Sequence, residues 1–391
     1  MTTKIDGSLI KSGTVPLAAV SNQNTTNSSK LLQVQSDGTL GLISNPGVAF
    51  KNRIINGDFR VDQRYSGTAQ TPATTGYLMD RWTAIMTNAS KLTFTPLGPT
   101  FGLYAGGYQI SVASAYSPTA SEYFCLFQKI EGYNIADLQW GTANAKACTL
   151  SFWVQSNITG AYSVCFGNDP GTTYFQASYT IAAINTPQLV TITIPGPTTG
   201  TWKVGNATGL YVTFVLGAGT TYQGSFTGAW GASNYLNTGS SVNFVTNSGG
   251  VLTISGVQFE VGAQASAFEQ LPYDVQLSRC LRYFEYFGAV VFKTQPSATL
   301  SVASNDIIVY EPWRVIKRGV PTMYCYGISA TFNSTDLGKA FNQSSANYAA
   351  NSAAGVATTY TEFYVKNNTG GALSITNSFY STYVFGDAEL Y

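Results

Sequence analysis

Short stretches in which apolar and polar residues alternate, separated by glycine and proline, dominate residues 51–268. Thr149–Val154 reads Thr-Leu-Ser-Phe-Trp-Val, and Thr191–Ile194 reads Thr-Ile-Thr-Ile. Because successive side chains of a strand point to opposite faces, this period of two places one face in a core and the other towards solvent. Even spacing of such strands with Gly/Pro turns favours a β-sandwich. The predicted strands are Leu92–Thr95, Tyr108–Val112, Cys148–Val154, Tyr162–Phe166, Leu189–Ile194, Tyr211–Leu216 and Val251–Val261.

Residues 272–287 have the spacing of a helix instead. Pro272 suits the first turn and Gly288 suits the end of the helix. Residues 289–391 return to strand patterns, except for a long exposed loop predicted at Asn342–Thr358. The apolar face of the helix consists of Tyr273, Leu277, Leu281 and Phe284. The strands predicted after it are Ala289–Lys293, Ile307–Tyr310, Met323–Tyr326, Glu362–Lys366, Leu373–Thr376 and Tyr380–Phe385.

Residues 1–50 differ from the rest, since short apolar pairs lie among Ser, Thr, Asn and Gly. A segment of this composition cannot bury a core alone, so we interpret it as an attachment or oligomerisation arm. A hairpin is predicted from Leu31 to Ile43, because Asp37-Gly38 between apolar runs is a strong turn signal.

The patterns together predict an all-β chain of four parts. These are an extended arm at residues 1–50, a β-sandwich at residues 51–270, a linking helix at residues 271–288 and a smaller C-terminal β-sandwich at residues 289–391. No strict internal repeat is visible, which disfavours a solenoid.

The composition excludes several classes of function. The chain has no histidine, which removes histidine-based triads and histidine metal ligands. A net charge of +1 gives no electrostatic reason to expect nucleic acid or an anionic membrane as a partner. Five cysteines without a CxxC spacing favour buried free thiols over disulfides or a zinc site. Without a signal peptide or a run of about 18 apolar residues, neither the secretory route nor membrane insertion is expected.

Two groups of motifs flank the predicted sandwich. The opening group reads Asn-Arg-Ile-Ile-Asn-Gly-Asp-Phe, then Val-Asp-Gln-Arg, then Tyr-Leu-Met-Asp-Arg-Trp, and occupies Asn52–Phe59, Val61–Arg64 and Tyr77–Trp82. The closing group occupies Ile254–Gly262, Ala267–Glu269, Leu277–Glu285 and Arg318–Pro321.

In this order the motifs resemble a module common in phage and prophage tail-fibre proteins. That module opens with an Asn-Gly-x-Phe strand, a Gln-Arg pair and an Asp-Arg-Trp, and leads into a Cys-x-Arg-Tyr-(Tyr/Phe)-Glu helix and an Arg-x-x-Pro element. The resemblance extends in patches over about residues 52–325. It implies a jelly-roll domain at residues 51–270 that is similar to carbohydrate-binding modules and lectins, and assembly as a homotrimer.

On this resemblance the chain is expected to be a non-enzymatic receptor-binding fibre protein of a bacteriophage virion, assembled in the host cytoplasm and released by lysis. Residues 1–50 would attach it to other virion proteins. Its β-sandwich domains would recognise a polysaccharide or lipopolysaccharide of the host surface. The alternative is a purely structural virion component, such as a capsid decoration, a head or collar fibre or a baseplate-linked fibre, without receptor contact.

The opening motifs suggest specific structural roles. Asn56-Gly57 would supply a tight turn with positive φ, after which Phe59 enters the core. Asp80 and Arg81 are expected to form a buried pair that joins the two sheets, with Trp82 in the core. The alternative is a glycan site, in which Trp82 is a stacking platform and Asp80 accepts hydrogen bonds from hydroxyl groups.

Aromatic residues in a glycine-rich stretch are the leading glycan or receptor candidates. Tyr222, Phe226, Trp230 and Tyr235 lie where strand patterning is weak. A loop that contains large aromatic residues outside an alternating pattern often presents them to a partner. Packing against a neighbouring subunit is the alternative. Tyr348 is a second candidate, further along the chain.

The carboxylates of the sandwich could serve a metal or a reaction. Asp58, Asp62 and Glu260 are candidates for a structural Ca²⁺, which needs several oxygen ligands. Otherwise no cofactor is expected. Glycoside hydrolysis needs two carboxylates at a fixed separation, and nothing in the spacing of Asp58/Asp62 or Glu260/Glu269 selects such a pair.

The predicted helix carries two arginines outside its apolar face. Arg279 and Arg282 are expected to pair with acidic side chains for structural reasons. The candidate partners are Glu269, Asp274 and Glu285.

Overall fold

The computed structural model divides the chain into two compact units, Met1–Lys51 and Asn52–Tyr391. It describes residues 30–34, 40–44, 50–73, 75–293, 306–326, 339–342, 347–349, 355–356, 360–366 and 378–389, with side chains at 50–73, 75–286, 313–321 and 387–389. In the first unit, β1 (Lys30–Val34) and β2 (Leu40–Ser44) pair antiparallel, with Lys30 opposite Ser44. The predicted hairpin is confirmed, while its turn lies outside the described residues.

The second unit is built on two antiparallel sheets. One sheet contains β3 (Gly76–Met79), β4 (Trp82–Met86), β7 (Tyr123–Glu131), β9 (Gly160–Asn168), β10 (Tyr174–Ile181) and β12 (Thr208–Ala218), in the order β10-β9-β12-β7-β4-β3. The other contains β5 (Leu92–Leu97), β6 (Gly107–Val112), β8 (Cys148–Ser156), β11 (Gln188–Ile194) and β13 (Val251–Val261), in the order β11-β8-β13-β6-β5. The predicted β-sandwich and all seven of its predicted strands are confirmed.

The core lies between the two sheets. Phe152 of β8 meets Phe214 of β12 edge to face, with ring centroids 5.0 Å apart. Trp82 of β4 lies 6.2 Å from the same Phe214 ring. Each such buried side chain contributes about 1.5–3 kcal/mol relative to its exposed state. Inward-facing residues therefore hold the two sheets together.

The alternation is clearest along β12. Leu210, Val212 and Phe214 are buried in the core. Tyr211 and Thr213 are half-buried and lie on the outer face of the six-stranded sheet. The outer face of this sheet is therefore partly aromatic.

The opening segment lies alongside β13. Arg53 N donates to Phe259 O at 2.8 Å, and Val257 N donates to Gly57 O at 2.9 Å. A Cβ at Gly57 would lie 2.1 Å from Val257 O, so only glycine permits this approach. The register of β13 with β8 shifts between Ser255 and Gln258, beside this contact.

The helix is shorter than the sequence predicts. α1 covers Tyr273–Leu281, and β14 (Phe284–Lys293) begins three residues later. Phe284 pairs with Asp387 across the sheet, so it belongs to a strand rather than to the apolar face of the helix. Pairing with a distant strand overrides the local helical spacing here.

The described part beyond the helix contains two further antiparallel sheets. They comprise β15 (Asp306–Pro312), β16 (Thr322–Tyr326), β17 (Lys339–Asn342), β18 (Asn347–Ala349), β19 (Gly355–Val356), β20 (Tyr360–Lys366) and β21 (Ser378–Asp387), together with β14. The uninterrupted loop predicted at Asn342–Thr358 is wrong, because β18 and β19 lie within it and pair with β17 and β20. The strand predicted at Leu373–Thr376 lies outside the described residues. No helix in the described part is both long and apolar enough to span a membrane.

Candidate functional site

The Asn-Gly motif forms a turn through Asn56 rather than through its glycine. Asn56 adopts a φ of 60°, and its side chain bonds both backbone groups of Val61, at 2.8 Å and 3.0 Å. Phe59 then stacks on Trp82 at 4.7 Å and on Tyr108 at 5.3 Å. The positive φ predicted at the turn is thus present, at Asn56. Gly57 is required for a different reason, because its backbone approaches β13 too closely for a side chain.

Trp82 packs in the core. Its side chain is completely buried, and its indole N–H donates to Asn56 O at 2.8 Å. An indole with no exposed face cannot stack on a sugar ring. The structure therefore places the Asp-Arg-Trp motif among the structural elements.

Asp80 and Arg81 do not pair with each other, so the predicted Asp–Arg pair is wrong. The Asp80 carboxylate accepts hydrogen bonds from the backbone N–H of Gln63 at 2.7 Å and from its side chain at 2.5 Å. Burial raises the pKa of Asp80 to about 7. Arg81, at a φ of 72°, instead pairs with Glu389 and lies 3.6 Å from the centroid of the Tyr283 ring. Asp80 and Arg81, although adjacent in sequence, therefore have their polar partners in different parts of the chain.

The two helix arginines donate hydrogen bonds to other groups than the expected carboxylates, although the expected partner Glu269 acts on Arg279 through its charge. Arg282 donates to both oxygens of Glu131, at 2.6 Å and 3.0 Å. Arg279 donates to Asn52 O at 3.0 Å. Burial lowers the pKa of Arg279, and the negative charge of Glu269 opposes part of that shift. The sequence could not indicate Glu131, because that residue is 151 positions away and lies at the end of β7.

The carboxylates proposed for Ca²⁺ have separate partners. Asp58 pairs with Arg60 at 3.0 Å, while Asp62 accepts backbone N–H groups, including that of Gly67 at 2.8 Å. Glu260 accepts from Ser266 at 2.5 Å. Within the described residues no group of three or more acidic, cysteine or histidine side chains could hold a metal ion. The calcium hypothesis therefore has no geometric support.

The aromatic loop candidates are half-buried. Tyr222 packs edge to face on Tyr123 at 4.8 Å. Trp230 lies 5.3 Å from Trp140 and donates its indole N–H to Pro195 O at 2.5 Å. Phe226 and Tyr235 are half-buried as well, and the Tyr235 ring lies 2.4 Å from where a Cβ on Gly224 would be placed. Tyr348 lies in β18, with its side chain outside the described residues. A glycan-binding role for these five residues stays a prediction.

An open groove of about 410 Å³ lies on the outer face of the six-stranded sheet. Its floor contains Cys125, Cys165 and Phe127, all of them buried. Its sides are formed by Thr75 and Ile85, by the tip of the β9–β10 hairpin, and by Asn234 and Leu236 of the loop that carries the aromatic candidates. That loop therefore lines the groove with Asn234 and Leu236, and not with its four aromatic candidates.

A row of cross-strand neighbours lines one end of the groove. Tyr174 of β10 pairs with Gly167 of β9, which pairs with Tyr211 of β12, which pairs with Lys129 of β7. A Cβ on Gly167 would lie 3.0 Å from the Tyr174 ring, so the glycine makes room for that ring. The Tyr174 hydroxyl donates to Gly171 O at 2.7 Å, which fixes the ring orientation. Two tyrosines are thereby held on one open surface.

Among the residues that the structure describes, two charged ones line the groove. Asp169 pairs with Lys203, which stands outside the groove. The Lys129 ammonium lies 5.7 Å from the centroid of the Tyr211 ring and 6.0 Å from that of Phe127, which is cation–π range. Burial lowers the pKa of Lys129, and the negative charge of Asp169 opposes part of that shift.

A second cavity of about 420 Å³ lies beside the tryptophans. It is lined by Trp140 and Trp202, whose rings meet edge to face at 4.8 Å. Their indole N–H groups are already bonded to Lys146 O and Thr199 O. The cavity therefore offers apolar surface more than hydrogen-bonding groups.

Sequence reasoning missed the groove residues Tyr174, Tyr211, Phe127 and Lys129. A usable signal was present in β7, where Cys125 and Phe127 lie on the outer face of a strand whose inner face is also apolar. A strand that is apolar on both faces is covered on both sides or lines a site.

No protein-family model and no curated protein matches this sequence. Among solved structures, the chain is similar to the enzymatically active domain of tailspike protein 4 from bacteriophage CBA120, with 17% identity and a TM-score of 0.31 over 57% of this chain and 23% of that one. It is similar to a family 11 carbohydrate-binding module from Clostridium thermocellum, with 15% identity and a TM-score of 0.27 over 49% and 93%. A putative sugar-binding protein from Bacteroides thetaiotaomicron matches with 16% identity and a TM-score of 0.29 over 54% and 100%. The chain thus spans less than a quarter of the tailspike domain.

Proposed function

We propose that this chain is a non-enzymatic, glycan-binding fibre protein of a bacteriophage virion, and that the groove on the six-stranded sheet holds the glycan. The observation that carries the proposal is the pair of tyrosines, Tyr174 and Tyr211, held on the open surface on either side of Gly167. Tyrosine combines a broad apolar face with a hydroxyl group, which suits a sugar ring and its hydroxyls. The virion assignment rests on the ordered motifs of the sequence.

The groove favours binding over hydrolysis. Among the described residues that line it, Asp169 is the only carboxylate, and it already pairs with Lys203. Hydrolysis by the common mechanisms requires two carboxylates flanking the bond. We therefore expect no new reducing ends when the protein is incubated with a polysaccharide that it binds.

The test is a binding measurement on the full chain with immobilised bacterial surface polysaccharides. Tyr211→Ala and Tyr174→Ala are each expected to weaken binding about tenfold or more, as for aromatic residues at the centre of an interface. Tyr133→Ala is the matched control, because Tyr133 is exposed and lies outside the groove. Equal affinity of all three variants, with unchanged thermal unfolding, would remove the groove from the proposal.

The oligomeric state and the attachment site complete the proposal. We propose a homotrimer that joins other virion proteins through residues 1–50. Sedimentation equilibrium at micromolar concentration should give three times the chain mass, and a monomer would refute the trimer. Deleting residues 1–50 should abolish incorporation into particles while leaving glycan binding intact.

The purely structural alternative is favoured by one observation. Tyr222 and Trp230 pack against other aromatic rings of the chain instead of standing free on the surface. If folded protein binds no polysaccharide at all, this alternative replaces the glycan proposal.

A further inference from the structure

Lys129 is the only positively charged residue among those that line the groove, and its ammonium forms no ion pair within the part of the chain that the structure describes. The described contacts of its ammonium are the rings of Tyr211 and Phe127. The negative charges of Asp169 and Glu389 act on it without forming an ion pair, so the half-buried ammonium carries a desolvation cost that a surface lysine avoids. Such an ammonium is suited to bind an anionic group of a ligand.

The neighbouring charges are already committed. Asp169, the carboxylate of the groove, pairs with Lys203. Glu389 pairs with Arg81 and, at 3.3 Å, with Arg64. Both described carboxylates whose charges act on Lys129 therefore already form ion pairs with other residues.

The position of Lys129 also matters. It directly follows Tyr211 in the cross-strand row that contains the two tyrosines. A sugar ring on the face of Tyr211 would place its substituents beside the ammonium. From this geometry we infer that the groove selects a glycan with an anionic sugar residue, one that carries a carboxylate or a phosphate group. This inference rests on the proposed function and names the ligand class of the same site.

The experiment uses the full chain and a panel of immobilised polysaccharides in three groups. Alginate and polygalacturonate carry carboxylates, teichoic acid carries phosphates, and xylan and mixed-linkage glucan are neutral. Binding is expected to the first or second group, and to fall as salt is raised because mobile ions screen the attraction. The group that binds identifies the anion. Reducing the carboxyl groups of a bound polyuronate to alcohols, with its linkages unchanged, should abolish binding.

Variants at Lys129 test whether this residue causes the binding of anionic glycans. Lys129→Met keeps an unbranched stem and should weaken binding of the acidic glycan about tenfold or more, the size expected for a lost charged hydrogen bond. Lys129→Arg should retain binding within a few-fold. Lys146→Met is the matched control, since it removes the same charge from an exposed side chain outside the groove.

The outcomes separate the two proposals. Binding of neutral glycans that is lost in Tyr211→Ala but unchanged in Lys129→Met would overturn this inference and leave the proposed function standing. Unchanged binding of acidic glycans by Lys129→Met would overturn it as well. Absence of binding to every member of the panel by folded protein would remove the proposed function and the inference with it.

Discussion

Arg81 and Glu389 form an ion pair in which both side chains are almost completely buried, although 308 positions separate them in the chain. Arg64 adds a second contact to Glu389 at 3.3 Å and a contact to Asp387 at 3.1 Å. The segment Asp387–Glu389 is thereby fixed to the beginning of the sandwich. The Asp-Arg-Trp motif therefore joins distant parts of the chain rather than the two sheets.

Glu389→Gln is the first variant that we propose. It leaves Arg81 buried without a counter-charge, and removing one partner of a buried pair costs about 3–5 kcal/mol. We expect the free energy of unfolding in urea to fall by about that amount. Asp274→Asn, at an exposed position of the helix, is the control and should change it by less than about 0.5 kcal/mol. If both variants lower the free energy of unfolding by a similar small amount, the buried pair contributes little to stability.

Asp80 predicts a pH dependence of stability. Burial raises the pKa of its carboxyl to about 7 in the folded state, whereas an unfolded aspartate ionises near about 3.9. Between these values the folded protein holds a proton that the unfolded chain has released. The contribution of Asp80 is therefore fully present below about pH 4 and is lost as the pH rises towards 7, by up to about 1.4 kcal/mol per pH unit.

Asp80→Asn removes this titration while keeping an oxygen that can accept a hydrogen bond from Gln63. Urea unfolding from pH 4.5 to 7.5 should show the wild-type stability falling relative to that of the variant. Parallel curves for the two proteins would contradict the raised pKa. The comparison cancels the other titrating groups, which are common to both.

Several strands whose sequence alternates between apolar and polar residues could be predicted, whereas β7 could not. β13 was predicted from end to end, and β11 to within one residue. In β7, Phe124 and Leu126 face the core while Cys125 and Phe127 form the groove floor, so no alternation marks the strand. Pattern reasoning depends on contrast between the two faces, and that contrast disappears where the outer face is itself a site.

The candidate site was missed for a related reason. Tyr174, Tyr211 and Lys129 come from β10, β12 and β7, and they are neighbours only through the register of four strands. Non-local pairing of this kind cannot be derived from one sequence. The loop aromatics were conspicuous because they stand in a glycine-rich stretch, but Trp230 joins a tryptophan cluster that also involves distant positions.

Four cysteines predict a simple reactivity pattern. Cys125, Cys148, Cys165 and Cys280 are free and buried, and burial raises the pKa of each thiol. The thiolate is the reactive form, so a disulfide reagent at pH 8 should label none of them in the native protein. Labelling is carried out in a Cys325→Ser background, and all four should react in denaturant. Fast labelling of a native groove thiol would show that the floor opens to solvent.

Gly167→Val tests whether the groove depends on the space beside Tyr174. Even a Cβ at this position would lie 3.0 Å from the ring, so valine must displace it. Valine suits a strand, and we therefore expect the chain to fold normally while glycan affinity falls about tenfold, as when a central contact is lost. Gly98→Val is the matched control, because a Cβ there meets nothing within 4 Å and Gly98 lies outside the groove. Equal binding by both variants would show that the position of the Tyr174 ring does not determine affinity.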